Sequence, residues 1–167
     1  MESRQFVAYL GKLFSKDGFI QKGQRFYRSF DNFSLVFALQ RTAYGGEYFY
    51  MEYGFFFPDI CPYTPYPKFN ELDINCGRVL LPNGGQVKQT LEYKRLDKDD
   101  LAFEQALQKY IDRAVCVAEG GIDSIVKTFV LSKDEDLHRC LGYICSRALP
   151  FLGITREQVS MSVYFDD

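Results

Sequence analysis

Residues 25–57 read RFYRSFDNFSLVFALQRTAYGGEYFYMEYGFFF, and the alternation in this stretch decides the fold. Apolar residues recur at every second position between turn signals, which predicts three consecutive antiparallel strands. Asp31 and Asn32 suit a two-residue turn because they tolerate positive φ angles, and that turn sets Phe30 opposite Phe33. The register that follows pairs Arg28 with Leu35 and Phe26 with Phe37 on one face, and Ser29 with Ser34 and Tyr27 with Val36 on the other. A second turn around Gly45 and Gly46 is expected to set Arg41 opposite Glu47. Leu39 then meets Phe49, Phe37 meets Met51, Leu35 meets Tyr53 and Phe33 meets Phe55, all on the face already assigned to the core.

The opposite face carries Arg25, Tyr27, Gln40, Tyr48, Tyr50 and Glu52, with the small residues Ser34, Ala38 and Gly54 between them. It is too aromatic for an ordinary solvated surface and too polar for a second core. The expected register places Arg25, Ala38 and Tyr50 in one row across the strands and Tyr27, Val36 and Glu52 in the next. Such a face can be a shallow trough that recognises a partner by stacking and directed hydrogen bonds. It can equally be covered by a C-terminal helix, the ordinary way to close an α+β domain.

The 167 residues suffice for a single domain with a substantial core. With 20 basic against 22 acidic residues there is no basic field for phosphate backbones, so nucleic acid is not an expected partner. No apolar run has the length of a signal peptide or a membrane span, which points to the cytoplasm and away from the membrane. Five cysteines form an odd set without CxxC spacing and read as thiols of a reducing compartment.

Ahead of the strands, Phe6, Leu10, Leu13 and Phe14 keep helical spacing and Gly18 is placed to end the helix. After Phe57, Pro58, Pro62, Pro65 and Pro67 forbid both helix and central strand, so a loop crosses the surface there, as a connector or as a ligand for an aromatic groove. A second hairpin is expected from a strand within Leu72–Leu81, the turn Pro82-Asn83-Gly84-Gly85 and a strand within Val87–Leu96. The last third reads as helical. Asp97 can cap a helix with the stripe Phe103, Leu107, Tyr110, Ala114 and Val117, stopped by Gly120-Gly121. Ile122, Ile125, Val126 and Phe129 mark a short amphipathic turn. Ser132 and Glu135 then open a third helix through Leu137, Leu141, Ile144, Cys145 and Ala148 to Pro150. From Thr155 onward, a capping box with Gln158 favours a helix while Val159, Met161, Val163 and Phe165 alternate like a strand.

No catalytic, metal or cofactor motif emerges. Glu135 and His138 have the Glu-x-x-His spacing of di-iron bundles, but a second histidine does not exist in the chain. Cys61 and His138 are the one Cys–His combination with a thiol in an expected loop, and their spacing supports no dyad. The glycine pairs Gly45-Gly46 and Gly84-Gly85 do not lie between a strand and a helix, so they read as turns and not as phosphate cradles.

Several features of the first third, namely the N-terminal helix, Gly18-Phe19, Lys22-Gly23, Phe26-Tyr27-Arg28, Leu39-Gln40 and Tyr53-Gly54, resemble a bacterial family filed as a domain of unknown function (number 4304). Glu52 and Arg41 depart from its pattern, and the resemblance implies no activity. The expected fold is α+β: an N-terminal helix, an antiparallel meander extended by a second hairpin, and C-terminal helices on the sheet. The expected function is that of a small bacterial binding protein without catalysis, of the immunity type, with Arg25, Tyr27, Gln40, Tyr48, Tyr50 and Glu52 as its recognition surface. The alternatives are a small-ligand binder or hydrolase-like enzyme with its cleft between the meander and the C-terminal helices, using Glu52 or Tyr50 as acid–base groups, and a structural module that forms homodimers.

Overall fold

The computed structural model describes residues 2–42, 48–60, 66–83, 86–88, 90–92, 101–132, 142–160 and 162–164. Helix α1 (Ser3–Ser15) buries Phe6, Leu10, Leu13 and Phe14, the stripe its spacing predicts. Gly18, at φ +76°, closes it in a Schellman arrangement, with Phe19 N–H donating to the Phe14 carbonyl and Gly18 N–H to that of Ser15. Strand β1 (Ile20–Lys22), absent from the sequence-based expectation, then pairs along β2 (Arg25–Ser29). Its three residues are all exposed and carry no alternation to reveal it.

Strands β2, β3 (Ser34–Arg41) and β4 (Tyr48–Phe56) form the expected meander. The first hairpin has the derived register, with Phe26 opposite Phe37 and Tyr27 opposite Val36. The second is offset by two residues: Arg41 pairs with Phe49, Leu39 with Met51, Phe37 with Tyr53 and Leu35 with Phe55. A slip of two leaves every side chain on its expected face, and it stacks the rings of Phe37 and Tyr53 with centres 5.1 Å apart.

Beyond β4 lies β5 (Ile74–Arg78), followed by β9 (Tyr143–Cys145) and β10 (Ser162–Tyr164), the last pair being parallel. The second hairpin differs from the expected one: the strand expected within Leu72–Leu81 is β5 of the main sheet, while a separate ribbon is made by β6 (Leu81–Asn83), which takes in Pro82 and Asn83 of the expected turn, and β7 (Gln86–Lys88). Strand β8 (Thr90–Glu92) returns to the main sheet beside the first residues of β4.

Helix α2 (Leu101–Glu119) buries Phe103, Leu107, Ile111, Ala114 and Ala118. The stripe is thus centred slightly aside of the expected one, with Tyr110 and Val117 at its border. It meets α1 on the inner face of the sheet, where Phe6 packs on Phe49 and Phe103, and Tyr9 donates from its hydroxyl to Glu104 at 2.7 Å. Gly121, at φ +78°, turns the chain into α3 (Gly121–Ile125), which runs on as a π-helical turn to Val130 and buries Phe129 against Tyr53 and Phe55.

The expected third helix is corrected at its end, because Ile144 and Cys145 are in strand β9. Ile144 pairs with Ile74, and Cys145 N–H donates to the Asp73 carbonyl, so an otherwise open sheet edge recruits this apolar segment. Helix α4 (Ala148–Phe151) follows. Asp97, Leu137, His138 and Leu141 lie outside the described residues. In the tail both expected patterns occur in succession: Thr155 and Gln158 form the capping box of a 3-10 turn, and β10 comes after it.

Candidate functional site

The sheet's outer face is covered in part by a connection that includes a 3-10 turn, Phe69–Glu71. Between β4, which ends at Phe56, and β5, the described residues Tyr66, Pro67 and Leu72 lie over this face. Tyr27 donates its hydroxyl to the Pro67 carbonyl at 2.8 Å, and Arg25 donates from Nη1 to the same oxygen at 3.2 Å. Tyr66 meets the Tyr27 ring edge-on, and Lys22 lies over Tyr66. Tyr27, Val36, Ala38, Phe56 and Leu72 make a small second core under this loop. Burial raises the pKa of the Tyr27 phenol, with Arg25 pulling the other way.

The loop is fastened at its base by Asp73, which is fully buried. One carboxylate oxygen accepts from Phe57 N–H at 2.8 Å and the other from Arg147 Nε at 3.0 Å, so a single side chain ties the two ends of the crossing together. Pro58 and Pro67 fix local φ angles, but these polar contacts give the crossing its course.

The six expected site residues therefore separate into two groups. Tyr27 is 2% exposed, and the Ala38 floor beside it is 1% exposed, so the trough expected over Ser34, Ala38 and Gly54 is filled. Gln40, Tyr48 and Tyr50 remain half-buried at the other end of the face. The register places Arg25, Ala38, Glu52 and Arg78 in one row across four strands and Gln40, Tyr50 and Thr90 in the next, correcting the expected Arg25–Ala38–Tyr50 row. Glu52 is 7% exposed and accepts from Arg78 Nε at 2.9 Å. The Arg78 guanidinium lies over the Tyr50 ring, its central carbon 3.7 Å from the ring centre.

Arg78 is the site residue that sequence reasoning missed. Strict alternation from Ile74 would turn Arg78 inward together with Cys76. A β-bulge intervenes: Tyr53 pairs with Gly77 and Gly54 with Asn75, leaving Cys76 as the extra residue and reversing the phase of Arg78. Gly77, at φ +87°, and the Asn75 side chain, which accepts from Gly77 N–H at 2.6 Å, shape the bulge. Across from it, a Cβ on Gly54 would collide with the Ile74 carbonyl. A glycine inside a strand-like segment was the available signal.

The space between meander and α2, where an enzymatic cleft was expected, is filled by apolar side chains, and Glu52 and Tyr50 face away from it. Two open clefts lie at the margins. One, of about 370 Å³, separates the β2–β3 turn from the α2–α3 junction; the other, of about 400 Å³, lies beside the first half of α1. Among the described residues no group of three or more His, Cys, Asp or Glu could hold a metal ion, and no helix is long and apolar enough to cross a membrane. Cys76 and Cys145 are buried free thiols and Cys116 is exposed, while Cys61 lies outside the described residues. No protein-family model, curated protein or solved structure matches this chain.

Proposed function

We propose that this is a small cytoplasmic binding protein of the immunity type, which masks a protein partner with the end of its outer sheet face that carries Gln40, Tyr48 and Tyr50. Its contact surface is Gln40, Tyr48, Tyr50 and Arg78, with Arg25 and Glu52 in supporting positions and Tyr27 holding the loop beside it. The observation that carries this reading is the stack of Arg78 on Tyr50, braced by Glu52. Arginine and tyrosine are the residue types most enriched at interface hot spots, and a guanidinium already held by an acid and a ring loses little freedom when a partner docks. The Arg78 guanidinium is donor-only, and the Gln40 amide and the tyrosine hydroxyls can donate as well as accept, which suits a partner surface that offers carbonyl and carboxylate acceptors.

Quantitative affinity capture tests this, with the wild type, Tyr50→Ala and Arg78→Ala immobilised in parallel. A protein retained by the wild type and depleted about tenfold or more by both variants is the expected result. Ser29→Ala, an exposed change at the far end of the same face, serves as the control and should retain the protein fully. If every protein on the wild-type matrix is equally abundant on both variants, this face is not the contact surface.

A further inference from the structure

The first half of α1 and the β1–β2 hairpin enclose the cleft of about 400 Å³, whose polar lining is Ser3, Arg4, Gln21, Gln24 and Arg41, with Ala8 on its helical wall. Its volume falls in the range of small-molecule sites. No acidic side chain lines it, although acids outnumber bases in the chain. Arg25, Arg28, Arg78 and Arg147 each donate to an oxygen of the protein. The guanidinium groups of Arg4 and Arg41, both exposed residues, make no hydrogen bond or ion pair with any described residue. Two unspent guanidinium groups thus share one concavity.

The hairpin wall of the cleft is held in place. Gln21 Nε2 donates to the Gly23 carbonyl at 3.0 Å, and its Oε1 occupies the space that a Cβ on Gly11 would take. The nearest acid along the chain, Glu2, is occupied in a capping box with Gln5 at the start of α1.

We propose that this cleft binds the phosphate group of a small molecule. A phosphate monoester carries close to two negative charges at neutral pH and three acceptor oxygens, matching two planar guanidinium forks more closely than a single carboxylate does. Ser3 and Gln24, which also line the cleft, are the residues that can take hydroxyl groups of the attached portion.

Calorimetric titration with ribose 5-phosphate, inorganic phosphate, ribose and succinate tests the assignment. Ribose 5-phosphate is expected to bind, with ribose and succinate at least about tenfold weaker. Tighter binding of ribose 5-phosphate than of inorganic phosphate identifies an ester as the ligand; equal binding identifies the free anion, and either result supports a phosphate site. Arg4→Gln and Arg41→Gln should each weaken binding about tenfold, and Ala8→Leu should weaken it by narrowing the cleft without altering charge. Arg113→Gln, an exposed arginine on α2 outside the cleft, should change nothing. The proposal is overturned if neither phosphate compound binds at about 10 mM, if succinate binds as well as they do, or if Ala8→Leu leaves the affinity intact.

Discussion

On the inner face of the sheet Phe26, Phe37, Met51 and Phe55 meet α1, α2 and the π-helical turn in an interface of interlocking rings, whereas on the outer face Tyr27, Val36 and Ala38 lie under a crossing loop. The inner closure is made by regular elements whose apolar stripes face one another. The outer closure depends on a few directed contacts: Tyr27 and Arg25 on one carbonyl at the tip, and Asp73 at the base. Dispersion contacts are individually tiny but collectively large where rings interlock, while each hydrogen bond contributes only a modest net amount. The two faces should therefore respond differently to mutation.

The largest effect belongs to the inner face. Phe37→Ala removes a fully buried ring that touches Phe14, Phe19 and Tyr53, and should cost about 4 kcal/mol in urea unfolding. A loss below about 1 kcal/mol would mean that the inner interface collapses as easily as a loop, and the contrast between the faces would fail.

Next comes the base of the outer closure. Asp73→Ala leaves the Phe57 N–H without its acceptor and the Arg147 Nε without its carboxylate, at a cost of about 3 kcal/mol. The damage should be local. Hydrogen exchange is expected to accelerate at Phe57 and Cys145, whose amides bracket this residue, before it does in β3. Uniform acceleration across the sheet would show that the outer closure is not a separate unit.

The contrast between the faces also marks what could be read from the residues alone. Period-two alternation assigned every meander side chain to its face, and that assignment survived the two-residue offset of the second hairpin because a slip of two preserves parity. Parity does not fix absolute register, which the length of the turn after Thr42 determines. The course of the loop was not legible, since Pro58 and Pro67 exclude helix and strand without saying which carbonyl will reach Tyr27. Arg78 was hidden by the bulge at Cys76, and β9 by an Ile-Cys pair that suits a helix stripe as well as a strand. In each case a non-local partner decided the outcome, and no window of neighbouring residues contains it.

A smaller effect separates the tip of the loop from its base. Tyr27→Phe keeps the ring against Tyr66 and deletes only the hydroxyl that donates to Pro67, so the expected loss is about 1 kcal/mol. Arg25 still donates to the same carbonyl, which keeps that oxygen satisfied.

The finest distinction lies in alkaline solution. Tyr27 must be protonated to donate to Pro67, and burial raises its pKa above the ordinary value of 10.0. The folded chain holds this proton more tightly than the unfolded chain does. Its contribution is therefore fully present below pH 10 and declines as pH rises through the higher folded-state value. Unfolding free energy followed by urea titration at successive pH values should show that decline in the wild type, and the difference between wild type and Tyr27→Phe should shrink over the same interval. An alkaline decline that persists unchanged in Tyr27→Phe would place its origin elsewhere and remove the phenol–carbonyl contact as the device that holds the loop on the outer face.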